Sequence, residues 1–373
     1  MSNTDRVKFH IPSVGKEEED AVLEVLRSGW LTTGKKVREF EENFATFVGA
    51  KHAIAVSSAT AGLFLSLKAL GVDNLSYVAT TPYTFISTAE VIEWCGTTPS
   101  FFDVEEDTYN IDINKITNWK FKAIIPVHIA GVKCDMEALY EKFPESAIVE
   151  DCAHYFPSKF DGRSKTAVYS FYATKSITTG EGGMIVTNDD DLAKHIRVLL
   201  NHGIKQSTFD RYTSAKNKWY YEVEELGYKF NMMDLSAALG VVQLKKANLL
   251  NEARTRVAKK YIEELNKLDF IVTPIDRPDN TWHLFMIRVK PENLTIDRDE
   301  FIEELTKENI GVSVHYIPVH MMPYYKRKGR KNFPVAEKLF RTTMSLPIFP
   351  DMSDEEIEKV VNTIKTIGEK NHK

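Results

Sequence analysis

Short apolar runs alternate with longer helical segments over the first half of the chain. HAIAVSS, SYVATTPYT, PSFFDV, FKAIIPVHI, SAIVEDCAH, TAVYSFYAT and GGMIVTN read as β-type segments, and several end in polar residues. Their apolar stretches are nearly continuous, as in strands buried on both faces. Between the first two, ATAGLFLSLKALG carries Leu63, Leu67 and Leu70 as a helical stripe and stops at Gly71. Upstream, EEEDAVLEVLRSG sets Ala21, Val22, Val25 and Leu26 on one helical face before a glycine suited to a C-cap. The alternation predicts an α/β fold with a mostly parallel seven-stranded sheet and helices on its faces. Only a short glycine-rich turn joins the last two runs, so an antiparallel member is expected there.

After Asn188 the pattern changes. Segment 204–225 is polar and aromatic without clean periodicity, which predicts a long loop. A helical stretch follows from Met233 to about residue 267. FIVTPI, HLFMIRVK and VSVHYIP then read as strands of a smaller α+β unit. It closes with SDEEIEKVVNTIKTI, where Ser353 and Glu356 form a capping box and Ile357, Val360, Val361 and Ile364 face a core. The domain boundary is expected near residue 250, giving a large domain over 1–250 and a small one over 251–373.

Composition narrows the class. A chain of 373 residues, 43% hydrophobic and 27% charged, has the mixture of an ordinary globular protein and the length of two domains. A formal charge of −5 argues against nucleic acid as a main partner. No apolar run is long enough to span a bilayer, and MSNTDRVKFHIP lacks the apolar core of a secretion signal. A cytoplasmic protein is expected. Cys95, Cys134 and Cys152 lack the spacing of a zinc or redox pair, so reduced buried thiols and no metal are expected.

The chemistry centres on Asp151, in IVEDCAH, and Lys175, in SFYATKSITTGEGGMIV. Both follow strand-like runs, so both are expected at one edge of the sheet, with Lys175 buried at its strand end. A lone lysine facing a carboxylate there is what a pyridoxal phosphate (PLP) enzyme needs. The amine binds the cofactor aldehyde, and the acid keeps the pyridine nitrogen protonated. Desolvation lowers a lysine pKa, and only the neutral amine attacks an aldehyde. His154, three residues after Asp151, suits the cofactor's phenolic oxygen, although most histidines are structural. Ser58, Ala59 and Thr60 open a helix after HAIAVSS, a place for a phosphate; the plain alternative is a serine N-cap. Ser170 can supply a hydroxyl to the same phosphate. Phe85 can stack on the pyridine ring, or belong to the core.

Together these runs resemble the DegT/StrS family of PLP-dependent nucleotide-sugar aminotransferases. The resemblance extends over nearly the whole chain, through LRSGWLTTGKKVREFEENFATFVGAKHAIAVSSATAGL, TPYTFISTAEVI, EDCAH, SFYATKSITTGEGGMIVTND, ELGYKFNMMDLSAALGVVQL, VSVHYIPVH and SLPIFPDMSDEEI. It implies the type I aminotransferase fold and a homodimer with residues of both subunits in each site. It makes Lys175 the residue that binds PLP covalently and Asp151 the ring-nitrogen partner. It puts His154 beside the cofactor oxygen, Phe85 on the ring face, and Ala59, Thr60 and Ser170 on the phosphate.

The chain departs from the family pattern in places. Ala59 stands where Gly or Cys is usual before the threonine of the phosphate turn. Lys229, Phe230 and Asn231 replace the frequent Asn-Tyr-Arg, so Lys229 and Asn231 become the candidates for the neighbouring subunit's phosphate. This version is similar to the branch acting on 4-keto sugars of UDP. The link between Gly162 and Val168 is shorter than usual. A branch that removes a sugar hydroxyl carries histidine in place of the lysine, and Lys175 argues against it.

The resemblance implies transfer of the L-glutamate amine to a nucleotide-linked keto-sugar, at C4, in ping-pong order with Lys175 moving the protons. Thr32, Thr33, His315, Tyr316 and His320 are candidates for the sugar-nucleotide pocket. The rival readings are a PLP-dependent sugar 3-dehydratase and a regulatory protein that keeps the fold without turnover. A NAD-dependent Rossmann enzyme is disfavoured, because no G-x-G-x-x-G follows a predicted strand.

Overall fold

A computed structural model describes residues 6–117, 120–204, 219–329 and 332–373. All seven β-type runs form strands: β1 His52–Val56, β2 Val78–Thr80, β3 Pro99–Phe101, β4 Ala123–Ile124, β5 Ala147–Asp151, β6 Thr166–Ser170 and β7 Gly183–Thr187. They join in one sheet of order β1-β7-β6-β5-β4-β2-β3. From β3 through β6 every pairing is parallel, while β7 runs antiparallel to both β6 and β1. The antiparallel member is where the sequence predicts it, but the link is not a short turn: β6 ends at Ser170 and β7 begins at Gly183, with the loop over 171–182 between them.

Strand alternation sorts the core into two layers. Ile54, Val56, Val168 and Ile185 pack under helix α3 (Ala59–Ala69) and the later helix Asp190–Leu200. Ala53, Ala55, Tyr169, Met184 and Val186 face the other way, onto α2 (Lys35–Val48) and the long helix Asp234–Leu265. Helix α3 is buried from Ala61 through Leu67, so its leucine stripe is only part of a helix enclosed on all sides. It lies close on the sheet because Gly62 has no side chain; a Cβ there would come within 2.7 Å of Val168 Cγ1.

Helix α1 (Lys16–Ser28) keeps only part of its predicted face inside. Val25 is buried, whereas Leu26 is 49% exposed. It docks through a charged residue instead. Buried Glu18 accepts from Gln243 Nε2 at 2.8 Å and Lys246 Nζ at 3.0 Å on the long helix. Helix α2 is capped from far away in sequence. Asp234 takes the amides of Gly34 (2.8 Å), Val37 (3.0 Å) and Lys36 (3.2 Å), the orphan donors of that helix N-terminus.

The long helix runs through residue 250 without a break. Ala237, Val241, Leu244, Ala247 and Leu250 pack in the sheet's core, and Val257, Ala258, Tyr261 and Leu265 in a second core. That second core surrounds a three-stranded sheet of order β10-β9-β8 (Ile271–Val272, Phe285–Val289 and Thr343–Leu346 in chain order). Val7, near the start of the chain, packs there too and bridges Ile310. The closing helix Asp354–Lys370 has the Ser353/Glu356 capping box and buries Ile357, Val360, Val361 and Ile364.

The third strand of the small sheet is Thr343–Leu346, not VSVHYIP. Among the described residues that segment makes one bridge, Ser313 to Ser345, with reciprocal bonds of 3.2 and 2.8 Å. It then leaves the sheet to place His315 and Tyr316 on a cavity wall, and Pro318 has no amide to extend a ladder. The loop expected over 204–225 lies for the most part outside the described residues. Of its end, Trp219 is 78% and Val223 60% exposed, and Val223 bridges Ile204.

Candidate active site

Strand direction places the ends of β1, β5 and β6 at one sheet edge, β5 and β6 by parallel pairing and β1 by two antiparallel pairings through β7, which enters from that same edge. Across it Val56 pairs with Gly183, Gly183 with Ser170, and Val168 with Asp151. A cavity of about 450 Å³ opens there, lined by Ala59, Thr60, Phe85, Asp151, His154, Ser170, Lys175, His315 and Tyr316 among others. Nine sequence candidates thus meet in one space.

Lys175 sits in the loop after β6 rather than at the strand's end. The strand stops at Ser170, and the Lys175 amide donates to the Tyr172 carbonyl at 2.9 Å. The long helix holds this loop from behind. Gln243 Oε1 accepts from Thr178 N at 3.3 Å, and buried Arg254 donates to the Ser176 carbonyl at 3.2 Å. Burial lowers the Lys175 ammonium from its usual 10.5 to about 8, against the opposing pull of Asp151. A useful share of this amine is therefore neutral near physiological pH.

Asp151 is buried, and burial pushes its carboxyl upward. Hydrogen bonds from the Ala153 amide (3.1 Å) and the Thr88 hydroxyl (2.9 Å), and the charges of Lys175 and His128, work the other way. His154 is buried as well, and its pKa is held well below the ordinary range by burial and then by Lys175. Its Nδ1 accepts the Ala130 amide at 3.3 Å, so the neutral ring carries its proton on Nε2, facing Tyr316 Oη at 2.9 Å. His283 packs on the same ring, with centroids 4.3 Å apart.

Ser58 caps α3 through the Ala61 amide at 3.1 Å, the plain alternative for that serine. The amides of Ala59 and Thr60, in the same first turn, have no acceptor within the helix and remain suited to an anion. Gly183 lets this helix end approach β7: a Cβ there would lie 2.6 Å from the Ala59 nitrogen. Phe85 is 55% exposed on the cavity wall, 6.1 Å from the Tyr316 ring.

Five candidates lie away from this cavity. Asn231 donates to Thr33 Oγ1 at 2.6 Å, Thr33 donates to the Met232 carbonyl at 2.6 Å, and the Thr32 carbonyl accepts from Asp234 N. Lys229 Nζ donates to Asn201 Oδ1 at 3.4 Å. His320 pairs with Glu337 at 3.2 Å and packs on Phe333. Conversely, His10, Thr84 and His283 line the cavity without having been singled out in the sequence. Thr88 carried a usable signal, one helical turn beyond Phe85; His10 carried none. Behind the site, His128, Glu150 and Cys152 offer ligand atoms within 4.8 Å of one another. Both His128 nitrogens are already engaged there, Nδ1 by the Cys134 amide and Nε2 by Glu150 at 3.0 Å.

A partly neutral lysine, a buried carboxylate, an aromatic face and an open helix end in one cavity suit PLP group by group. The sequence pattern of the DegT/DnrJ/EryC1/StrS aminotransferase family matches residues 12–365. The chain belongs to this family. It is 43% identical over 375 residues to the spore coat polysaccharide biosynthesis protein SpsC of Bacillus subtilis, with 96% of each chain covered. Among solved structures, Helicobacter pylori PseC, an aminotransferase involved in the biosynthesis of pseudoaminic acid, matches with a TM-score of 0.88. It is 30% identical, with 98% of this chain and 100% of that one covered. Spr1654 of Streptococcus pneumoniae in its PLP-form matches with a TM-score of 0.89 and 29% identity, covering 98% and 99% of the two chains. The same protein in its PMP-form gives a TM-score of 0.90. The fold is therefore the type I aminotransferase fold, the cofactor is PLP, and the activity is amino transfer to a sugar.

Proposed function

We propose that this family member moves the amine of L-glutamate to the keto carbon, C4, of a nucleotide-diphosphate-linked keto-sugar. One observation carries the reading: the Lys175 amine and the buried Asp151 carboxylate share a cavity of about 450 Å³. Bound PLP supplies an aldehyde that accepts the amine and a ring that accepts electrons. The chain's own residues bind, orient and move protons around it. Asp151 holds the ring nitrogen protonated, and His154, with its proton fixed on Nε2, stands by the phenolic oxygen. The amides of Ala59 and Thr60 and the Ser170 hydroxyl receive the phosphate, and Phe85 covers one ring face. Lys175 Nζ takes the proton from the donor's Cα and returns one to the sugar's keto carbon.

His315 and Tyr316 face the sugar, so residues 251–373 close over a cofactor held by residues 1–250. Thr32, Thr33, Lys229 and Asn231 lie outside their own chain's cavity and serve the second subunit of a homodimer. In that arrangement Lys229 and Asn231 reach the neighbour's phosphate, and the two threonines line its sugar-nucleotide pocket.

The test is a product screen by mass spectrometry. PLP-loaded protein is given L-glutamate and a panel of UDP-, dTDP- and GDP-linked 4-keto and 3-keto sugars. Formation of 2-oxoglutarate with a 4-amino sugar nucleotide is expected from one of them. A 3-amino product overturns the choice of carbon, and inactivity over the whole panel overturns turnover itself.

A further inference from the structure

Asp151 is held by a chain of hydroxyls whose direction follows from chemistry. An ionised carboxylate only accepts hydrogen bonds, so Thr88 Oγ1 donates to Asp151 Oδ2 at 2.9 Å. Its proton thus committed, Thr88 accepts from Thr84 Oγ1 at 3.0 Å. The second carboxylate oxygen takes the Ala153 amide at 3.1 Å. Thr84 and Thr88 are 1% and 0% exposed, so bulk water does not replace either hydroxyl. Thr84 also lines the cavity, and the chain therefore runs from the cavity wall to the acid. Thr84 lies in the bend before the short helix α4 (Ser87–Trp94) and Thr88 in its first turn, and the chain's turn into the helix brings the two hydroxyls together.

Burial raises the Asp151 carboxyl above its ordinary value, and each of these bonds works against that rise. The Ala153 amide, Thr88, Lys175 and His128 oppose it in that order, while Tyr316, Cys134 and Cys152 feel the resulting negative charge. A neutral Asp151 could not keep a ring nitrogen protonated.

We propose that Thr88, itself oriented by Thr84, is the positioning residue that keeps the Asp151 carboxylate ionised and aimed into the cavity. The inference rests on the assignment of Asp151 to the cofactor's ring nitrogen. It assigns Thr88 a role through another group; Thr88 touches no reacting atom.

The test compares PLP-loaded wild type, T88V, T88S, T84V and D151N. The absorbance of bound cofactor and the rate of the L-glutamate half-reaction are followed as functions of pH. Losing a hydrogen bond to a charged group should move the acid limb of the T88V profile up by about one to two pH units. The rate near pH 7 should fall about tenfold to a hundredfold, with T88S close to wild type and T84V intermediate. A purely structural Thr88 would lower the unfolding midpoint and leave the acid limb unmoved. That result, with the bound-cofactor spectrum unchanged, overturns the proposal. If D151N also leaves spectrum and rate as in wild type, the underlying assignment of Asp151 is what fails.

Discussion

The phenol oxygen of Tyr316 lies 2.9 Å from Nε2 of His154, across 162 positions of sequence. The contact ties the segment after Ser313 to the strand end that carries Asp151. Replacing Tyr316 by Phe keeps the ring and leaves a buried imidazole nitrogen without its partner. The expected loss is about 1–3 kcal/mol of stability, read from urea unfolding of the PLP-free protein. Unchanged stability in Y316F would show that the two groups are not bonded in solution.

The Lys175 amine sets a pH dependence. With its pKa at about 8, covalent capture of PLP by the PLP-free protein should quicken as pH rises through that value. Borohydride trapping on the Lys175 peptide measures it, and K175A should trap nothing and lose turnover. Linkage predicts a second effect. Between about 8 and the ordinary 10.5, the unfolded chain binds more protons at this lysine than the folded one. Unfolding free energy should therefore rise with pH in that window, and K175A should flatten the rise.

Gly183 is required by close approach rather than by a special backbone angle. Adding a methyl in G183A would meet the Ala59 amide nitrogen at 2.6 Å and the Ser58 carbonyl carbon at 2.7 Å. Backbone on both sides must then separate, spoiling the helix end that receives phosphate. The expected outcome is PLP affinity weakened about tenfold or more, by equilibrium titration, with the sheet still formed by circular dichroism. Wild-type affinity in G183A would move the phosphate site elsewhere.

Asp234 caps α2 from another helix, and Gly34 at that helix end has no side chain to take over. D234A should lose about 2–4 kcal/mol, since three amides lose a charged acceptor at once. Denaturant unfolding measures it. D234N should recover part of the loss, because an amide oxygen still accepts.

Much of the sheet was readable from the chain because its signal is local. Each run from HAIAVSS to GGMIVTN carries its own apolar density, whereas the loop over 171–182 that joins the last two strands carries Lys175 and does not by itself dictate their antiparallel pairing. VSVHYIP misled for the complementary reason. Its β-branched and aromatic residues have strand propensity, but Ser313 keeps one bridge and the following residues turn to a cavity wall. Propensity describes a residue's own preference and carries no information about which partner is free.

The site divides along the same line. Asp151 and the helix end at Ala59 were legible because they sit at strand ends, and Lys175 and Phe85 because they follow in the loops just beyond strands that end at the same edge. His10 was not, since nothing in its own neighbourhood points to a cavity. Thr33 and Asn231 show the same limit from the other side: their mutual bond at 2.6 Å lies outside the cavity of their own chain.

The chain by itself determined which residue types could do the chemistry, and in which strands they lie, because covalent order and periodicity are properties of sequence. Only the tertiary structure decided that Lys175 rides a loop pinned from behind by Arg254, and that Thr88 points its hydroxyl at Asp151. The shift of a buried amine and the direction of a buried hydrogen bond depend on what surrounds the group in space. Those neighbours are assembled from segments far apart along the chain.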